Sequence, residues 1–267
     1  MRGMYNEEQI KAYFDRINYY GGTEQSVDNL REMHRLHLLY IPYENLDLLN
    51  NIPLSLAPKD LYTKIITNRR GGYCFELQGL FLYLLKSLGY SVFQYSGRFM
   101  DEPEHIQMRR HRILVVSLND KRYVCDVGVR SESPRVPLEL VEGQLQSDSI
   151  SEYRYEKDPF YGWVLMQRER NKDWKPLLGF TEEPQIDDDF IMPSFYCEKH
   201  SNSTFNKFMK ISIFTGDSNK TIVGDVFSVY SGAKVTERHK ITSKEEAVKL
   251  LRTVFGIDVP GHYNPFI

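Results

Sequence analysis

Arg69-Arg70-Gly71-Gly72-Tyr73-Cys74-Phe75-Glu76-Leu77-Gln78 is the stretch on which the reading of this chain turns. The paired glycines make a tight turn. Leu77, Leu80, Phe81, Leu84, Leu85 and Leu88 then recur at helical spacing as far as Gly89, which suits the position just past a helix end. A helix therefore starts beside Gly72, and Cys74 lies in its first turn. Unpaired N–H groups and the positive end of the helix dipole favour a thiolate there. Gly71 and Gly72, lacking side chains, leave room for another molecule to approach the sulfur. Cys74 is a candidate nucleophile, and the competing reading is a buried cysteine that merely opens a core helix. Glu76 complements the dipole or tunes the thiol.

On the N-terminal side the texture is helical. Asn6 with Gln9 forms a capping box before Ile10, Tyr13, Phe14 and Ile17. Ser26 opens a second helix that Pro42 stops, Ile41 to Asp47 is an extended connector, and Pro58 begins a third helix. From Tyr90 onward, short β-branched and aromatic segments alternate with turn signals: Ser91–Gly97, His111–Leu118, Tyr123–Val127, Tyr153–Tyr155, Trp163–Arg168 and Trp174–Phe180, with a turn at Asn171-Lys172-Asp173. This is an antiparallel sheet or barrel. After the polar joint Asp187-Asp188-Asp189, strands are expected at Ile211–Phe214, Phe227–Tyr230 and Ala233–Thr236, with a Ser231-Gly232 turn. A helix capped by Ser243 and Glu246 follows, closed by Gly256. The chain is thus α+β in three parts: 1–89 helical, 90–190 β, and 191–267 mixed.

The totals narrow the function classes. With 267 residues and 41% hydrophobic content the chain can bury a substantial core. A net charge of −2 argues against a dedicated nucleic-acid or polybasic membrane binder. The first residues form no apolar leader, and the longest apolar run, near Leu80–Leu85, is too short to span a bilayer. The three cysteines, Cys74, Cys125 and Cys197, match no zinc or redox spacing, so a reducing, cytoplasmic setting is expected.

A nucleophilic thiol needs a base, and the base an orienting group. Asn119-Asp120 suits a two-residue type I′ hairpin, which pairs Leu118 with Lys121 and so aligns His111 with Gly128. Asp126 then lies two residues from the position facing His111, on the same face of the sheet, while Cys125 points to the other. A surface His–Asp pair is the plainer alternative. His34 and His37, three apart on a helix, lack a completing carboxylate or cysteine and read as a solvated face rather than a metal site. Arg109-Arg110-His111-Arg112 is a basic knot that either meets a phosphate or is a strand-end charge cluster. Asp187–Asp189 reads as a solvated turn rather than a calcium loop.

Together these segments resemble the arylamine N-acetyltransferases. Arg70 to Glu76 is similar to that family's nucleophile motif, His111 to Val116 to its histidine strand, and Asp126-Val127-Gly128 to its aspartate segment. Ile41 to Asp47, Trp174 to Gln185 with Asp189-Phe190, and His200 through Ser203 to Phe205 extend the likeness over roughly residues 5 to 215. The resemblance implies a helical bundle, a β-barrel and an α/β lid around a cysteine-protease-like core. It implies acetyl-CoA as co-substrate without a metal, and acetyl transfer to the nitrogen or oxygen of arylamines, arylhydrazines or arylhydroxylamines. It makes Cys74 the nucleophile, His111 the base and Asp126 the orienter, with Gly128, His200, Ser203 and Phe205 on the coenzyme side. The sequence departs from the family pattern at Tyr73, at Gln78 (commonly asparagine), at Val129 (commonly aromatic) and at Arg130 (commonly glycine), which bears on the acceptor pocket. Two rival classes share the residues: a transglutaminase-like or protease-like Cys–His–Asp hydrolase, and a non-catalytic aromatic-amine binder.

Overall fold

The computed structural model describes residues 4–100, 104–128, 134–169, 172–216, 218–232 and 234–264. The expectations placed on Val129, Arg130, Asn171 and Ala233 lie outside these residues.

The capping residues act as their chemistry dictates. Asn6 and Gln9 exchange hydrogen bonds of 2.9 and 3.0 Å at the start of α1 (Glu7–Ile17). Ser26 accepts from Asn29 N–H to open α2 (Val27–Tyr40). The connector stays extended only to Asn45, because Leu46–Leu49 coils into a short turn, α3, that buries Leu46, Leu48 and Leu49. Apolar burial there overrides the extended reading. Pro58 occupies the first turn of α4 (Pro58–Tyr62), which runs into a π-helical turn at Thr63–Thr67. α5 (Cys74–Ser87) is buried continuously from Cys74 to Leu85; most of that stretch is apolar, and its two polar members, Glu76 and Gln78, are hydrogen-bonded.

Eight strands follow: β1 (Ser91–Phe99), β2 (His111–Leu118), β3 (Lys121–Cys125), β4 (Leu138–Glu139), β5 (Gln146–Ser147), β6 (Ser151–Asp158), β7 (Gly162–Glu169) and β8 (Lys175–Phe180). Their order is β4-β3-β2-β1-β8-β7-β6-β5, antiparallel throughout. The two ends meet through Gln146, whose side chain accepts from Glu139 N–H and donates to Glu139 C=O, so the sheet is nearly closed. Alternation divides β2 and β3 between two cores. Ile113, Val115 and Val124 fill the barrel with Tyr95, Tyr153, Tyr155 and Leu178. Leu114, Val116, Tyr123 and Cys125 face the helices, against Leu80, Phe81 and Leu84.

The last third contains a helix that the sequence reading did not foresee, α6 (Ile191–Lys199), and a four-stranded sheet, β9 (Lys210–Thr215), β10 (Ser218–Val223), β11 (Val226–Ser231) and β12 (Lys234–Lys240), followed by α7 (Lys244–Phe255). β10 was also unforeseen: Ser-Asn-Lys-Thr precedes its only two apolar residues, and turn glycines at 216 and 224, both with positive φ, delimit it. This sheet docks on the connector through reciprocal Tyr43–Ser212 backbone bonds of 2.9 and 3.0 Å and through a core shared with Leu46 and Leu49. No described helix is long and apolar enough to cross a membrane.

Candidate active site

The hairpin that carries the histidine and aspartate forms in the register its turn dictates. Asn119 and Asp120 both have positive φ, and Leu118 pairs with Lys121 through to Leu114 with Cys125. Asp126 leaves the ladder one residue later with its carboxylate on the face of His111. His111 Nε2 lies 2.7 Å from Asp126 Oδ2, and His111 itself is fully buried. Asp126 Oδ1 accepts from the Gly128 N–H at 3.0 Å and from the Gln78 carboxamide at 2.9 Å. With Nε2–H committed to Asp126, Nδ1 is left as the accepting nitrogen; it is buried and has no hydrogen-bond partner. The Phe99 ring, 4.9 Å away, walls the imidazole.

Cys74, 3% exposed, stands at the first position of α5. Its Sγ is 4.0 Å from the carbonyl oxygen of Arg110, the residue preceding His111. A methyl group added at Gly128 would fall 3.0 Å from Cys74 Cα, so the segment after Asp126 packs directly on the cysteine's backbone. The structure thus brings Cys74, His111 and Asp126 into one site, with the His–Asp bond formed and the sulfur–imidazole bond not. Such links commonly tighten only when substrate binds.

The thiol differs from its sequence reading. Burial pushes Cys74 well above the usual thiol range, aided by Cys197 and Asp126, while the Phe75 N–H and the Arg110 charge pull it down. The helix end is present, but desolvation outweighs it. The glycines differ as well. A side chain on Gly71 would fall 2.1 Å from the Pro42 carbonyl, and Gly72 exchanges backbone bonds with Pro42 and Glu44 at 3.3 and 2.8 Å. The glycines admit the chain's own connector, not a second molecule.

A buried ionic cluster fixes that contact. Arg70 donates to Glu44 at 2.9 and 2.7 Å and to Asp47 at 2.9 Å, and Lys64 reaches Asp47 at 2.6 Å and Glu76 at 2.8 Å. Glu76 also accepts the Tyr73 N–H at 3.1 Å, so it caps the helix that presents the sulfur. Burial alone would raise the Asp47 carboxyl, but Lys64 and Arg70 hold it at about 2. The Tyr263 hydroxyl joins Asp47 at 2.6 Å and ties the last described segment to the cluster.

Gln78 is the residue whose importance the sequence did not disclose beyond its departure from asparagine. Fully buried one turn after Cys74, it donates to Arg112 C=O and Asp126 Oδ1, both at 2.9 Å, and accepts the Val127 N–H at 3.3 Å. It thereby clamps the helix that begins at Cys74 to both strands of the hairpin. Gln78→Leu leaves buried backbone groups unpaired, at a cost of about 1–3 kcal/mol each. It should lower both the melting temperature and kcat. Unchanged turnover in a folded Gln78→Leu protein would show that the clamp does not orient Asp126.

His34 and His37 are not a solvated face: they are 1% and 0% exposed. His34 Nε2 accepts the Asp126 N–H at 3.2 Å, and His37 Nδ1 meets Tyr13 OH at 2.7 Å. The 3.6-residue period turns both toward α5 and the hairpin. Burial lowers His34 to about 4 and His37 well below the ordinary imidazole value. In the unfolded chain each titrates near 6.5, so stability is complete above that pH and is lost as pH falls towards 4. For His34 the loss is on the order of 3 kcal/mol. Thermal melts of the protein and of His34→Gln between pH 7 and 4 check this. The variant's melting temperature should depend less on pH over that range, and parallel curves would remove the assignment.

Of the four residues expected on the coenzyme side, Gly128 lies against Cys74, and the Phe205 ring is 6.3 Å from that of Tyr73. Ser203 is buried, donating to Cys197 C=O at 2.6 Å and accepting the Phe205 N–H at 3.2 Å, so its hydroxyl is engaged within its own turn. His200 is exposed at the end of α6, stacked 4.3 Å from Tyr196. Among the described residues no cluster of His, Cys, Asp and Glu could hold a metal ion. Asp187, read from sequence as part of a solvated turn, instead receives Arg112 at 2.6 Å and Tyr83 OH at 2.8 Å.

A cysteine at a helix start, set against a histidine–aspartate pair at the end of a β-hairpin, defines a cysteine-centred acyl-transfer or hydrolytic fold. Comparison with known proteins narrows the class. Residues 26–263 match the N-acetyltransferase family. The arylamine N-acetyltransferase of Mycobacterium tuberculosis is 34% identical over 258 residues, covering 94% of this chain and 89% of the relative. The solved arylamine N-acetyltransferase of Salmonella typhimurium superposes with a TM-score of 0.91 at 28% identity, covering 98% of this chain and 96% of that one. The Mycobacterium marinum arylamine N-acetyltransferase in complex with CoA gives 0.87 at 30% identity, with coverages of 93% and 92%. The chain belongs to the arylamine N-acetyltransferase family, as its motifs led one to expect.

Proposed function

We propose that this protein moves an acetyl group from acetyl-CoA to the nitrogen of an arylamine, through an acetyl-cysteine on Cys74. Family membership supports the reaction. The observation that carries the mechanism is the 2.7 Å His111–Asp126 bond, which leaves a buried, unpartnered Nδ1 beside the nucleophile's helix. The sulfur passes its proton to His111 Nδ1 and attacks the thioester carbonyl. The Cys74 N–H at the helix start meets the developing oxyanion. His111 then returns the proton to the departing coenzyme A thiolate. In the second step the amine attacks the acetyl-cysteine, His111 takes the amine proton, and the C–S bond breaks with that proton returning to sulfur. Asp126 holds the tautomer and stabilises the imidazolium.

Gly128 and Phe205 flank the donor's approach to Cys74. The C-terminal sheet with α6 and α7 serves as the lid of a three-part molecule and limits water at the acetyl-enzyme. Three unpaired cysteines suit a reducing, cytoplasmic setting. Initial rates over a matrix of acetyl-CoA and arylamine concentrations, read by thiol release, test the reading. Parallel reciprocal plots are expected. Steady thiol release without any acceptor would identify a hydrolase instead.

A further inference from the structure

Of the three residues brought together at the site, Asp126 alone stands outside regular structure. The β2–β3 ladder ends at the pair Leu114–Cys125, so the N–H groups that follow have no strand partner. Three successive N–H groups find side chains instead. Gly128 donates to Asp126 Oδ1 at 3.0 Å and Val127 to Gln78 Oε1 at 3.3 Å. Asp126 itself donates to His34 Nε2 at 3.2 Å, a residue of α2 far away in the chain.

A backbone N–H can only donate, so Nε2 accepts and the ring proton sits on Nδ1, which is buried. Burial opposes a charge on the ring more than Asp126 supports one. Phe81 fixes the plane of the imidazole: its ring lies 6.1 Å away at 75°. The same ring meets His37 at 5.4 Å, and Tyr13 OH holds His37 at 2.7 Å. Phe81 follows Gln78 by three residues, so one face of α5 supplies both. The segment at Asp126 is therefore gripped from two helices. Gln78 takes its carboxylate, and His34 takes its backbone. Among the described residues His34 hydrogen-bonds neither Cys74 nor His111, so any effect on the reaction passes through Asp126.

We propose that His34 is a positioning residue for acetyl transfer: by accepting the Asp126 N–H, it sets the backbone of Asp126 where the carboxylate meets His111 Nε2. The inference rests on the acetyl-transfer reading above and adds a residue to its machinery. Without the acceptor, the buried N–H must seek another partner, and the carboxylate moves with the backbone that carries it. A displacement on the order of 1 Å at a reacting constellation costs about 100-fold in rate.

The test measures single-turnover acetylation of Cys74 by acetyl-CoA in the unaltered protein, His34→Leu and His34→Gln, with thermal melts to show that each is folded. Should His34→Leu not fold, the ring-sized His34→Phe replaces it. Loss of the acceptor should lower the maximal rate by about 10- to 100-fold at an unchanged half-saturating acetyl-CoA concentration. His34→Gln, whose amide oxygen reaches the place of Nε2, should recover most of that loss. An unchanged maximal rate, an equal loss in both variants, or a loss that saturating acetyl-CoA repairs overturns the proposal. A second measurement needs no variant: ¹H–¹⁵N NMR of the unaltered protein should find the His34 proton on Nδ1, and a proton on Nε2 overturns the proposal. Should the unaltered protein leave Cys74 unacetylated, the acetyl-transfer reading falls separately. The His111 Nε2–H resonance then judges the positioning. A shift in His34→Leu that His34→Gln reverses sustains it, and an identical resonance in all three proteins ends it.

Discussion

Cys74→Ala is expected to abolish acetyl transfer while leaving the fold in place. The substitution removes one buried sulfur, and the helix keeps its cap, because that is supplied by Glu76 on the Tyr73 N–H rather than by the cysteine. Stability should change by no more than about 1–2 kcal/mol. Turnover should fall by roughly 10⁶, the scale seen when the nucleophile of a cooperating catalytic unit is removed. Cys74→Ser should be nearly as inactive. Its hydroxyl is far less acidic than the thiol, and burial disfavours an alkoxide even more strongly than it does the thiolate. Rates of arylamine acetylation alongside thermal melts decide the point. Near-native turnover in folded Cys74→Ala would remove the mechanism.

Asp126→Asn carries the second large effect, and the site's hydrogen bonds say why. Oδ1 of Asp126 faces two donors, the Gly128 N–H and the Gln78 amide. In the variant the single carbonyl oxygen must take that position, since an NH₂ group there would meet donor against donor. The NH₂ then points at His111 Nε2, which must become an acceptor, and the imidazole proton moves to Nδ1. The nitrogen that should receive the thiol proton is thereby blocked. By analogy with the Ser–His–Asp arrangement, the loss in kcat should be about 10⁴, with little change in stability. A loss smaller than tenfold would mean that Asp126 does not set the tautomer.

Local rules made much of this molecule readable. The I′ turn at Asn119-Asp120 and period-two alternation were enough to place His111 and Asp126 on one face, and the structure shows both. Caps at Asn6, Ser26 and Ser243 depend on a few adjacent residues and were equally legible. What stayed hidden depends on partners distant in sequence. Arg70 finds Glu44 and Asp47, and Gln78 finds Asp126, across separations that no periodicity encodes. His34 and His37 looked solvated because histidine is polar, yet each exchanges its hydration for a buried hydrogen bond. The acidity of Cys74 was misjudged for a related reason. A helix end is visible in sequence, whereas desolvation by the surrounding elements is not. Ser194 of α6 hydrogen-bonds the hydroxyl of Tyr73, the residue before Cys74, a contact that required a helix not foreseen.

The central claim is that Cys74 carries the acetyl group between donor and acceptor. The most direct test is mass spectrometry of the intact protein mixed with acetyl-CoA and no acceptor, followed by peptide mapping. The account predicts one added acetyl group, on the peptide containing Cys74, which disappears when an arylamine is added. An unmodified protein, or an acetyl group residing on Cys125, Cys197 or a lysine and unaffected by the amine, would contradict it.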